Sequence, residues 1–365
     1  METRYVPIEN ENENDESEII TEKIEKIEKI EKIEKMSIKP IEPLLDPNNE
    51  RFTIFPIKYP KIWEFYKTQQ ELYWKAEEID FSKDYNDFQK LDKDEQYFIK
   101  MILAFFASSD GIVNFNLRER FLKEIKMTEA QVIYSWQMMM ENIHGEVYSQ
   151  MLENIVKDHD EKNRLFDSIR SVESIKMMAD WSLKWIESKD PLPYRLIAMG
   201  AVEGIFFSGA FAAIFWLKKY RNKGQSIMNG LIKSNQFIAR DEAMHVKTAC
   251  MLYSMIVNKL DTKEVHKIII EAVEISKIFN KDAIKCDLIG MNLDLMSQYI
   301  EYVADTLLVM LGYDKTYNTT NPFDFMESIS LTNKTNFFES RPTEYHMAYT
   351  TKNVARNTIN ILDDF

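Results

Sequence analysis

From about Lys61 to Leu311 the apolar residues recur every three or four positions in long, scarcely interrupted runs. This spacing turns one face of an α-helix toward a core. Runs near 61–79, 92–125 and 128–157 are the clearest, and more follow through 312. Nothing alternates as a half-buried strand does. DPLPY at 190–194 and the Gly312–Tyr313 pair are the sharpest breaks. An all-α domain of roughly 270 residues is predicted.

The ends of the chain differ from this body. Glu22 to Lys35 repeats the triplet EKI, with isoleucines at 24, 27, 30 and 33. Each such step turns a helix by about 300°, so the isoleucines drift around it and hold no face. Residues 1–40 are expected to be a disordered or loosely helical arm rather than a coiled coil. Pro40, Pro43, Pro47, Pro56 and Pro60 make the next stretch an extended lead-in. Beyond Asn321 the chain turns polar and irregular, which divides it into an arm (1–40), a helical domain (41–339) and a tail (340–365).

Met199 to Leu217 is long and apolar enough to span a bilayer, but it carries Glu203. A carboxylate inside a lone span costs roughly 2.5–3.5 kcal/mol, and no second such segment occurs, so a buried core helix is predicted. AVILMFWYC make up 45% of the chain, which is ample for a core. A net charge of -13 disfavours nucleic acid or an anionic membrane as partner. Cys250 and Cys286 form no CxxC motif, and the acidic N-terminus lacks the features of a secretory signal, so a reducing, cytoplasmic setting is expected.

Two of the five histidines follow a glutamate by three residues: Glu141 and His144 in MENIHGEVY, Glu242 and His245 in ARDEAMHVK. On a helix that spacing brings both side chains to one face, ~4.5 Å apart along the axis. One match is weak in a chain so rich in glutamate, but two in apolar helical surroundings are much stronger. In bundles with carboxylate-bridged dinuclear sites, two helices each give such a pair and two others each give a carboxylate. Acids stranded in apolar helices are the candidates for the rest: Glu203 in AVEGIFFSGAF and Asp110 in ILAFFASSDGIVNF. Burying a carboxylate without a partner is expensive, so coordination explains both. The competing explanations are a cap or kink beside Gly111 for Asp110 and a protonated buried acid for Glu203. The predicted fold is a ferritin-like helical bundle around two metal ions, and mixed carboxylate and imidazole ligands suit iron first and manganese second.

Tyr148 lies four residues beyond His144 and seven beyond Glu141, on the same helical face. Phe207 and Phe211 follow Glu203 by four and eight residues, and Ile238 precedes Glu242 by four. Together they would enclose Tyr148 in a dry pocket, as a long-lived oxidised phenol requires. Ordinary core packing of a buried tyrosine fits the spacing equally well.

FFASSDGIVNFNL, MENIHGEVYS, AVEGIFFSGAFAAIFWLKK, SNQFIARDEAMH and NPFDFMESISLTNKTNFFE resemble the eukaryotic-type small subunit of class I ribonucleotide reductase, from about Arg51 to Phe365. The resemblance implies that Asp110, Glu141, His144, Glu203, Glu242 and His245 bind two iron ions. It implies that Tyr148 becomes a stable radical through dioxygen, within a pocket of Phe207, Phe211 and Ile238. It further implies that His144, Asp241 and Trp74 pass the oxidising equivalent outward, and that Tyr345 relays it to the large subunit. Ile359 to Phe365 would then dock on that subunit, and the chain would form a homodimer. Without the resemblance, core packing would be preferred for Trp74. Phe115 stands where the family commonly has Glu, Ala243 replaces a frequent Gly, and the EKI arm has no counterpart. No GxxxxGK[ST] or GxGxxG element occurs, as expected if nucleotides bind the partner. A di-iron oxygenase and a ferritin-like iron store are the rival readings of the same bundle.

Overall fold

A computed structural model of the chain describes residues 41–221, 227–284 and 291–326. The EKI arm, Tyr345 and the terminal Ile359 to Phe365 lie outside the described residues. Within them the chain is helical and contains no strand. Eight main helices follow in order: α1 (Pro60–Glu71), α2 (Lys93–Glu124), α3 (Thr128–Ile155), α4 (Glu173–Glu187), α5 (Leu192–Arg221), α6 (Asn229–Ser254), α7 (Thr262–Ala283) and α8 (Leu293–Leu311).

Local chemistry sets several ends. Asp92 accepts from the Glu95 N–H at 2.9 Å, while the Glu95 carboxylate accepts from the Asp92 N–H at 3.1 Å, a reciprocal cap that starts α2. Pro60 opens α1, where its missing N–H would have had no helical partner. Gly312 closes α8 with a φ of +90°, and the Tyr313 N–H reaches back to the Leu308 carbonyl at 2.9 Å. The break expected at DPLPY is confined to its first two residues, Asp190 and Pro191, which lie between α4 and α5; Leu192 already opens α5.

The run predicted near 61–79 is shorter than expected. Helix α1 stops at Glu71, and a single 3-10 turn at Ala76–Glu78 follows. Leaving the helix here turns Trp74 into the bundle, where it is only 2% exposed.

Helices α2 and α3 lie side by side over the most extensive contact in the fold, α6 packs on both α3 and α5, and α7 and α8 cover α5. Helix α5 contains the apolar stretch that resembled a membrane span, and its most apolar window is wholly buried inside the bundle. It is a core helix, as predicted, but it is not alone in its length and apolarity: α2 also has an apolar window long enough to span, contrary to the expectation of a lone segment, and 56% of that window is buried in the bundle.

Helix α6 is capped from a distance. Asp84, in the short helix Asp84–Phe88, accepts from the N–H groups of Gly230 and Leu231 at 3.1 and 2.7 Å, and Asp87 accepts from Met228 N–H at 3.0 Å. The packing leaves no room at Gly230: a Cβ there would stand 2.5 Å from Phe81 Cδ1 and 2.7 Å from the Asp80 carbonyl oxygen. Gly230→Ala is expected to cost about 1–3 kcal/mol by overpacking. It should lower the urea midpoint at unchanged slope, and an unchanged midpoint would refute this close approach.

Candidate metal centre

Four helices bring the predicted ligands together. Asp110 comes from α2, Glu141 and His144 from α3, Glu203 from α5, and Glu242 and His245 from α6, and none is more than 2% exposed. Their donor atoms form two clusters: Asp110, Glu141 and His144 in one, and Glu141, Glu203, Glu242 and His245 in the other. Glu203 sits in a π-helical segment of α5, Val202–Phe206, the kind of wider turn frequent at functional sites.

Glu141 and Glu242 each reach both histidines. His144 Nδ1 is 2.9 Å from Glu242 Oε1 and 3.3 Å from Glu141 Oε2. His245 Nδ1 is 2.8 Å from Glu141 Oε1 and 3.0 Å from Glu242 Oε2. Each carboxylate thus points one oxygen at each imidazole, the disposition of a bridging ligand, while Asp110 and Glu203 close opposite ends.

Both oxygens of Asp110 and Glu203 Oε2 are buried without a hydrogen-bond partner among the described residues, and Glu141 Oε2, His144 Nδ1 and Glu242 Oε1 meet only one another at ion-pair distances. Orphaned polar atoms in a core are costly, and here they converge on common points. The donor set therefore fits two divalent cations, whose four positive charges would balance Asp110, Glu141, Glu203 and Glu242.

The protein alone balances that charge only partly. Burial, reinforced by the Glu141 charge, pushes the Asp110 carboxyl well above the usual carboxylate range. Burial and the Glu242 charge do the same to Glu203. Burial opposes a charged His144, but the carboxylates of Asp241, Glu141 and Glu242 outweigh it and hold the imidazole well above its ordinary value.

Gln137 escaped the sequence reading. Its Nε2 donates to Glu203 Oε1 at 2.7 Å and to Glu141 Oε1 at 3.3 Å, tying together carboxylates from two helices. The signal was its place four residues before Glu141, on the ligand face of α3. Gln137→Leu keeps the volume and frees both oxygens. Loss of such an outer partner should weaken metal binding by about 10–100-fold. Titration with ferrous ion under argon checks this, and native affinity would remove Gln137 from the site.

Tyr148 is buried on α3, and its hydroxyl has no hydrogen-bond partner among the described residues. Its ring stacks on Phe106 at 4.5 Å, and Phe106 in turn meets Phe207 and Phe211 at 5.6 and 5.0 Å. Ile238 is fully buried on α6. Phe106 was also missed, although it lies four residues before Asp110 on the same helix.

On the other side of the site, Trp74 Nε1 donates to Asp241 Oδ2 at 2.7 Å, and that oxygen lies 3.2 Å from His144 Nε2. The Arg240 guanidinium holds the other Asp241 oxygen at 3.1 Å. Burial would raise the Asp241 carboxyl, but Arg240 and His144 keep it below its ordinary value. A charged carboxylate on the far nitrogen of a ligating imidazole fixes the ring and strengthens it as a donor.

The model for the small chain of ribonucleotide reductase matches residues 51–322. The chain belongs to the ribonucleotide reductase small-chain family. It is 51% identical over 331 residues to the ribonucleoside-diphosphate reductase small chain of Schizosaccharomyces pombe, covering 89% of this chain and 83% of that one. It is 50% identical over 325 residues to subunit M2 of Danio rerio, with the same coverage of 89% and 83%. The solved ribonucleotide reductase Rnr4 homodimer of Saccharomyces cerevisiae superposes with a TM-score of 0.71 at 38% identity, over 85% of this chain and 96% of that one. As a ribonucleotide reductase small chain, it is a subunit of an oxidoreductase, ribonucleoside-diphosphate reductase. That membership sets aside the oxygenase and iron-storage readings.

Proposed function

We propose that this small chain binds two iron ions through Asp110, Glu141, His144, Glu203, Glu242 and His245, and lends an oxidation stored on Tyr148 to the large subunit that reduces ribonucleotides. Manganese is the alternative metal. When bound, the metal pair supplies the chemistry that reduces dioxygen and takes one electron from Tyr148. The observation that carries the reading is the Tyr148 hydroxyl, buried and unpartnered among the described residues on the helix that gives Glu141 and His144, and within reach of the Asp110, Glu141 and Glu242 charges, whereas the equally buried Tyr134 of the same helix feels only Glu203 among the ligands. A fold does not keep such a group for stability.

The protein does the rest. Phe106, Phe207 and Phe211 keep water from the phenol. Ile238, buried one turn from Glu242, belongs to the same dry wall. A cavity of about 50 Å³ against Glu203 and Glu242, walled in part by Phe211, Ala243 and Thr306, leaves room for a small ligand such as dioxygen. The hydrogen bonds linking Trp74 and His144 through Asp241 support a path outward, continued by Tyr345 in the tail. Ile359 to Phe365 then docks on the large subunit by apolar side chains and its carboxylate. The chain works in the cytoplasm, as a homodimer like the one in which Rnr4 was solved.

The test is metal content and electron paramagnetic resonance on protein given ferrous iron and oxygen, followed by deletion of Ile359 to Phe365. We expect iron and a sharp tyrosyl signal in both proteins, with reductase activity only in the full chain. Undiminished activity after the deletion would contradict the docking role, and a protein without any tyrosyl signal would contradict the whole reading.

A further inference from the structure

A run of aromatic rings outside the metal site leads from the surface to a small cavity that one of its histidines, His245, also lines. Trp63 and Tyr66 on α1 have ring centres 5.2 Å apart, Tyr66 is 6.1 Å from Trp136 on α3, and Trp136 is 5.8 Å from Tyr73. Trp63, Tyr66 and Trp136 are half-buried, and Tyr73 is 40% exposed. At the inner end, Trp136 shares the wall of a small cavity with Asp241 and His245. Tyr73 is the chain neighbour of Trp74. The outer end is marked by the exposed Phe55, whose ring lies 6.0 Å from Trp63.

Leucine or isoleucine would pack α1 against α3 as well as these rings do. What separates Trp and Tyr from aliphatic residues is ease of one-electron oxidation, and here rings of only that kind follow one another from solvent to the wall beside a ligand. We propose that Trp63, Tyr66 and Trp136 form an electron-entry path to the metal site, distinct from the connection through Asp241 to His144. The proposal rests on the function proposed above.

The electron count gives the path a task. Reduction of dioxygen to water takes four electrons. Two bound ferrous ions would supply two of them and Tyr148 one. The fourth comes from an external one-electron donor such as ascorbate or a thiol. On this path the donor loses one electron at Trp63 and the oxidised site gains one, with no bond made. Tyr66, when it is the oxidised member, releases its phenolic proton to solvent and regains one on re-reduction.

Two measurements test the path. In metal-free protein carrying Cys286→Ser, a ruthenium polypyridyl photo-oxidant attached at Phe55→Cys oxidises Trp63 on a flash, and transient absorption follows the radical. The radical should migrate inward, and migration should be lost in Trp136→Phe and in Tyr66→Phe, which keep the ring shape, but kept in the remote Trp185→Phe. In protein given ferrous iron and oxygen, Trp136→Phe should lose the acceleration by ascorbate of tyrosyl radical formation, read by freeze-quench electron paramagnetic resonance. Native behaviour of Trp136→Phe in either measurement overturns the path. If the parent protein forms no tyrosyl radical at all, the proposed function fails instead, while the flash result still decides whether the rings conduct.

Discussion

Tyr148→Phe is expected to abolish the tyrosyl signal and reductase activity altogether while leaving metal uptake and the fold intact. The substitution deletes one oxygen atom. That oxygen is buried without a hydrogen-bond partner, and an unsatisfied buried hydroxyl costs about 1–3 kcal/mol. The variant should therefore be as stable as the parent or more so. Burial, with the Asp110 charge added, pushes the Tyr148 phenol well above its ordinary value, so it stays protonated at any working pH. Losing an electron then also means losing that proton, and the Phe106 ring stacked at 4.5 Å gives the resulting neutral radical no polar group to react with. Electron paramagnetic resonance, iron analysis and urea unfolding of the metal-free variant check the three parts. A sharp tyrosyl signal persisting in Tyr148→Phe would move the radical to another residue, and a clear loss of stability would make Tyr148 a packing residue.

What the sequence revealed of this site was what helical spacing determines locally. Glu141 with His144 and Glu242 with His245 share a face whatever the tertiary structure. Asp110 and Glu203 were legible because a charge in an apolar helix has few innocent explanations. Gln137 and Phe106 were not, although each lies four residues before a ligand, because a neutral amide and one more phenylalanine look like ordinary interior. The π-helical segment around Glu203 leaves no trace in an apolar run. The early end of α1 was hidden for another reason: no glycine or proline stands between Glu71 and Trp74, and the chain leaves the helix where Trp74 turns in toward Asp241. Likewise the cap on α6 comes from Asp84, far off in the sequence.

Ferrous ion under argon should raise the melting temperature strongly, by an amount that grows with pH. Ligand at a thousandfold its Kd adds ~4 kcal/mol per site. At ~2 °C per kcal/mol, the low end of the range for large domains, two sites add about 15 °C. Glu141 belongs to both donor clusters and Asp110 to one, so Glu141→Ala should lose the whole increment and Asp110→Asn about half of it. The pH dependence follows from the metal-free state. Burial pulls the His245 imidazole down, but the Glu141 and Glu242 charges outweigh it and lift it from 6.5 to about 10. A folded state that keeps a proton the unfolded chain has lost grows less stable as pH rises. This contribution is complete below pH 6.5 and gone above about 10, and His144 acts in the same direction. Asp110 and Glu203, also raised, weaken the metal-free fold as pH climbs above the ordinary carboxylate range. Asp241 and Glu242 are lowered, so their stabilisation is complete above that range and is lost only on acidification. The metal-free melting temperature should thus fall between pH 6.5 and about 10. Metal ions take neutral imidazole and ionised carboxylate, so their affinity rises over the same interval. Calorimetry with and without ferrous ion should show the two curves diverging as pH increases. Curves that converge, or a metal-free curve that climbs, would mean that these six side chains do not form the site.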